Sequence, residues 1–148
     1  MRYDDSARPL ESAAALLGRL LLVALFLTQG WVKLMAGPDV IGGYFVKVGV
    51  PAPMVAFYVV VAVELLLAAI FLVGWYTRPI ALLLAAYCVA TALFGHFELD
   101  DRNQWLHFLK NLGLAGGFLQ VFAFRGGAYS VDRLASNRSG RNDGTRAF

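Results

Sequence analysis

Four apolar stretches, each long enough to cross a bilayer as a helix, confine this 148-residue chain to a membrane fold. A hydrocarbon core of about 30 Å takes about 20 helical residues. On that measure spans are predicted at residues 13–35, 54–73, 79–97 and 106–124. Hydrophobic residues make up 59% of the chain, against roughly 45–50% in soluble domains. The expected fold class is all-α: one antiparallel four-helix transmembrane bundle over residues 13–125. A polar segment, 1–12, precedes it, and a mostly disordered tail, 126–148, follows, with only 129–134 offering a short ordered piece. The first span is too long for a signal peptide and lacks a small-x-small cleavage site, so it reads as a mature helix.

The cations set an expected orientation. Arg2, Arg8, Arg78, Arg125, Arg133, Arg138, Arg141 and Arg146 all fall on the side of the two termini, and only Lys47 and Arg102 fall opposite. The positive-inside rule then places both termini in the cytoplasm and the first and third connections outside. The net charge of +3 expresses topology, and no nucleic-acid partner is implied. The first outer connection, Ala36 to Pro53, is not featureless: Gly37-Pro38 stops a helix and Asp39 can cap a new one. Val40, Ile41, Tyr44, Phe45 and Val48 then recur with helical spacing. A short interfacial helix is expected there, either as an anchor or as a lid.

Against this apolar background stand Arg19, Lys33, Glu64, His96, His107, Lys110 and Asn111. A charge near the bilayer centre costs at least about 2.5–3.5 kcal/mol on insertion scales, so such residues pair, snorkel or line a site. Counting depth at 1.5 Å per residue puts Lys33, His96, His107, Lys110 and Asn111 in one outer layer, delivered by three different helices. Arg19 and Glu64 come out at similar depth and are expected to form a structural ion pair. The candidate ligand-binding set is Lys33, His96, Lys110 and Asn111, with His107 at its edge; catalytic residues are not assignable.

Metal binding is not expected, because two lysines crowd the histidines and no tight ligand spacing exists. Cys88 stands alone, which excludes a dithiol mechanism within the chain. Two ammonium groups, an imidazole, an amide and one carboxylate suit an anionic or carbonyl-bearing guest. A quinone head group fits that description, its isoprenoid tail lying along apolar helices and histidine relaying protons.

The order and spacing of several short pieces resemble the DoxX family. They are Arg19 followed by Gly30-x-x-Lys33, Gly49-Val50-Pro51-Ala52-Pro53, and Glu64 leading to Gly74-Trp75-Tyr76-Thr77-Arg78. His96, Lys110-Asn111 with Gly116-Gly117, and Tyr129-Ser130-Val131-Asp132 complete the set. The resemblance implies a four-helix bundle in the bacterial cytoplasmic membrane, with relatives that include subunits associated with thiosulfate:quinone oxidoreduction. The family positions it carries over are Arg19, Lys33, Glu64, His96, Lys110 and Asn111. The expected function is quinone binding within a membrane oxidoreductase system. No intrinsic cofactor is expected, and a partner subunit is needed for electron transfer. The rivals are a non-enzymatic scaffold or homodimer, for which Gly113-x-x-x-Gly117 offers a packing face, and a small transporter.

Overall fold

The computed structural model describes residues 9–98 and 100–136. The described residues form four long helices: α1, Pro9–Lys47; α2, Pro53–Val73; α3, Thr77–Gly95; and α4, Arg102–Phe124. Proline opens α2, where its missing N–H costs nothing. Asp101 caps α4 through its carboxylate, which accepts the amides of Asn103 at 2.7 Å and Gln104 at 3.1 Å. Among the described residues α1, α2 and α3 are long and apolar enough to span a membrane. The fourth has the length, 23 residues, but Gln104, His107, Lys110, Asn111 and Gln120 make it the most polar of the four.

α1 breaks at Gly37, whose φ of 81° and ψ of 167° turn the chain before Pro38 restarts the helix. Residues 38–47 therefore fold back over one end of the bundle. Their inner face buries Phe45 against Phe57 and Val61, and the Tyr44 hydroxyl donates to the carbonyl of Gly95 at 2.9 Å. The predicted interfacial helix is thus also a cover.

α1 packs along α2, and α3 along α4, while α1 and α4 touch only sparingly. The core where the two hairpins meet is aromatic. Phe118 presents its ring edge-on to Phe26 at 5.4 Å and Phe71 at 5.2 Å, over fully buried Leu84 and Cys88. One approach is unusually close: a Cβ on Gly30 would lie 2.9 Å from Glu64 Cβ and 2.8 Å from Leu65 Cδ2. Only glycine lets α1 and α2 meet there. Outward faces remain apolar, with Leu21, Leu66, Leu83 and Phe94 all exposed, and the aromatic side chains Trp31, Tyr58 and Trp105 at one end and Trp75 and Tyr76 at the other are exposed too. That is the arrangement a bilayer solvates.

The opposite end is closed by a clamp. Gly74, with φ 74°, ends α2, and the Trp75 amide donates back to the carbonyl of Ile70 at 3.3 Å. Asp132 then accepts the Tyr76 and Thr77 amides, each at 2.8 Å, capping α3 from 55 residues away. Arg19, fully buried, donates to the carbonyl of Leu72 at 2.8 Å and to that of Tyr129. The segment 126–136, which includes the short ordered piece expected at 129–134, packs against the bundle, where its carbonyls and Asp132 satisfy groups that helix ends leave unpaired. The expected disorder from Asn137 onward lies outside the described residues, as does the polar segment before Pro9.

Candidate functional site

Beneath the cover lies a cavity of about 630 Å³ reached by all four helices. Its walls are mostly apolar, with Phe26, Phe45, Val60, Phe94 and Leu114 among them. Into it project Lys33, Glu64, Tyr87, His96, His107, Lys110 and Asn111. Every member of the predicted ligand-binding set, Lys33, His96, Lys110 and Asn111, therefore lines one cavity, and His107 lines it with them.

Two polar groupings organise the space. Deep in the bundle the Lys33 ammonium donates to both oxygens of Glu64, at 2.9 and 2.7 Å. The Tyr87 hydroxyl donates to the same carboxylate at 2.6 Å. Glu64 is 5% exposed, and its two oxygens accept three strong bonds, so its charge is compensated where it stands. A single π-helical turn, Val63–Leu67, carries it. One extra residue in that turn rotates Glu64 away from the regular helical face and toward Lys33, as π-turns at functional sites commonly do.

Arg19 and Glu64, expected to pair, do not. Gly30 marks the level of Glu64 on α1, and eleven residues at 1.5 Å each separate Gly30 from Arg19, about 16 Å along the axis. The depth count misplaced Glu64 because the first turns of α2 lie beside the cover rather than beside α1 proper. Arg19 belongs to the clamp at the other end.

The second grouping forms the rim. His96 donates from Nδ1 to Gln104 Oε1 at 2.7 Å and stacks on His107, ring centroids 5.0 Å apart and planes 28° from parallel. The Lys110 ammonium donates to His107 Nδ1 at 3.0 Å. Lys33 pairs with Glu64, whereas Lys110 forms no ion pair with a carboxylate among the described residues. Asn111 is 7% exposed as a residue, and its carboxamide, which hydrogen-bonds to no described group, lines the cavity without being one of the fully buried unpaired groups, Ser12 Oγ, Arg19 Nε and Thr77 Oγ1. An amide open to the cavity and unpaired within the protein is available to a guest or to water.

Tyr87, Gln104 and Tyr44 were not singled out from sequence. Tyr87 had a usable signal, being a hydroxyl-bearing ring in the middle of an apolar span, where its O–H must find a partner. Gln104 sits one turn ahead of His107 and reads as an ordinary first-turn residue. Among the described residues no cluster of three His, Cys, Asp or Glu side chains is close enough to hold a metal ion. The cavity is rich in donors: the spare protons of Lys33 and Lys110, the Asn111 amide and the Nε2 proton of His107. Its one carboxylate is already occupied.

Comparison with known proteins places the chain. The DoxX family profile matches residues 14–97, which takes in most of α1 and all of α2 and α3. The chain is 34% identical over 140 residues to the inner membrane protein YphA of Escherichia coli strain K12, covering 90% of this chain and 97% of that one. It is 35% identical over 133 residues to the inner membrane protein YqjF of the same organism, covering 88% and 98%. No solved structure matches. With these inner-membrane relatives and several helices of spanning length and apolarity, this is a multi-pass inner-membrane protein, and it belongs to the DoxX family.

Proposed function

We propose that the cavity binds a quinone or a similar small carbonyl-bearing redox molecule, and that the chain serves as a subunit of a membrane oxidoreductase system. Both termini face the cytoplasm on this reading, so the cavity opens toward the outer side. The observation that carries it is the imbalance of the lining. Asn111 offers an amide without a protein partner, and Lys110 a cation without a carboxylate, inside mostly apolar walls. A flat apolar ring bearing carbonyl oxygens supplies the acceptors that both residues lack and fills the hydrocarbon part of the space.

The roles follow from position. Lys110 and the spare proton of Lys33 stabilise negative charge developing on a bound carbonyl, and Asn111 orients the ring. The His96–His107 stack lies between the cavity and the outer side, where a proton can be passed on. Electrons come from a partner, because the chain has no flavin, haem or dinucleotide motif. Titrating ubiquinone and menaquinone into the purified protein and into Lys110→Ala tests the reading. A charge-assisted hydrogen bond contributes about 1.5–3 kcal/mol, so the variant should bind about 10–100-fold more weakly. No saturable binding to the native chain, or equal affinity in both proteins, would refute it and favour a scaffold.

A further inference from the structure

The cavity does not end the opening between α1 and α4. A second, apolar groove of about 460 Å³ lies along the same seam, toward the clamp end. From α1 it is lined by Ala14, Gly18 and Leu21, and from α4 by Gln120, Val121 and Phe124. The two helices are antiparallel, so the register can be followed along the seam. Leu25 and Leu114 belong to the cavity, while Leu22 and Gly117 belong to the groove. What lies between is a single contact level: a Cβ on Gly117 would come 2.8 Å from Leu22 Cδ2, the far end of a flexible side chain. The groove thus begins about one helical turn below the cavity floor, on the same side of the molecule.

Resting on the quinone reading above, we infer that this groove holds the hydrocarbon tail of the molecule whose head occupies the cavity, and that the α1–α4 seam is its entrance from the bilayer. Two things on the seam point to one continuous occupant. Charged and polar groups gather in the upper part, where Lys33, Lys110 and Asn111 face a head group, and the lower part is lined mostly by small and apolar residues, with Gln120 and Arg125 as its polar members. The helices that must part to admit a lipid-soluble molecule sideways also touch each other only sparingly. From Asn111 to Phe124 is thirteen residues, about 20 Å at 1.5 Å each, so the groove takes a long tail in extended form. A bilayer already solvates hydrocarbon well. The groove's contribution is therefore to fix where the tail runs.

A naphthoquinone carrying a photoreactive diazirine at the end of a long isoprenoid tail tests this in lipid nanodiscs. The expected result is labelling concentrated in residues 14–22 and 117–125, suppressed by excess tailless naphthoquinone, which displaces the head. In Gly18→Leu labelling of those residues should fall at least about tenfold while tailless naphthoquinone still binds with unchanged affinity. A Cβ at Gly18 meets nothing within 4 Å, so the variant keeps the fold and fills only the groove. Competed labelling elsewhere, with the head still bound, overturns the tail path alone. Labelling of the groove that the competitor does not suppress marks an ordinary membrane lipid or a second copy of the chain and likewise overturns it. Failure of the tailless compound to bind the native chain overturns the site reading and this inference with it.

Discussion

Exchanging the partners of Glu64 distinguishes the pairing in the structure from the one that depth counting suggests. In Lys33→Met the carboxylate of Glu64, 7% exposed at its side chain, loses the ammonium at 2.7 Å and keeps only the Tyr87 hydroxyl. Removing one member of a buried pair costs about 3–5 kcal/mol, because the charge left behind has no compensation. Lys33 retains 22% exposure, which lets water reach the site and puts the expected loss near the lower bound, about 3 kcal/mol. Glu64→Gln should also destabilise, whereas the double variant should recover about 2 kcal/mol of the summed loss, since it buries no charge and the new carboxamide oxygen still accepts from Tyr87. Arg19→Met combined with Glu64→Gln should instead be additive within about 0.5 kcal/mol, as expected for sites more than about 10 Å apart. Reversible unfolding in mixed micelles, followed by circular dichroism, measures all of these terms. Coupling between Arg19 and Glu64 above about 1 kcal/mol, or none between Lys33 and Glu64, would refute the assignment.

Other consequences are equally open to measurement. Gly74→Ala should destabilise by more than about 2 kcal/mol, since a Cβ there would sit 2.5 Å from both Arg19 Nη1 and Ser130 Cβ, at a φ of 74°. Unfolding midpoints would show it, and a near-neutral change would remove the clamp from the account. Asp132→Ala should cost about 1 kcal/mol as a lost cap. Burial alone would raise the Asp132 carboxyl, but the Thr77 and Tyr76 amides and the Arg19 charge outweigh that and hold it below the usual aspartate value. Because its folded value lies below the unfolded one of about 3.9, its stabilisation is present above about pH 4 and fades as pH falls through the lowered value. The native chain should therefore lose more stability than Asp132→Ala between about pH 5 and 3, and parallel profiles would contradict the cap. Tyr87→Phe removes a bond to a carboxylate and should cost about 1.5–3 kcal/mol, read in the same micelle assay; a loss below about 0.5 kcal/mol would mean the hydroxyl is idle.

The helices and the gathering of the polar residues were legible in the sequence for one reason. In a chain solvated by lipid, apolar length dictates the spans, and any ionisable residue within them has to be explained by a partner or a site. Lys33, His96, Lys110 and Asn111 could thus be grouped before their contacts were known. The pairing of Glu64 could not, because it depends on two local events that leave little mark on composition: the π-turn at Val63–Leu67 and the folding of residues 38–47 over the bundle end. Each shifts the level or facing of a residue by about a turn, which exceeds the margin of a depth count. Tyr129 to Asp132 could be recognised as a recurring piece, yet its task became visible only once Arg19 and the start of α3 were seen to converge on it.

The most direct test of the central claim is a structure of the protein determined in lipid nanodiscs with menaquinone added. A planar head group is expected inside the cavity, with one carbonyl oxygen within hydrogen-bonding distance of Asn111 Nδ2 and the other facing Lys110. A cavity that remains filled by side chains or water alone, with the quinone elsewhere or absent, would contradict it.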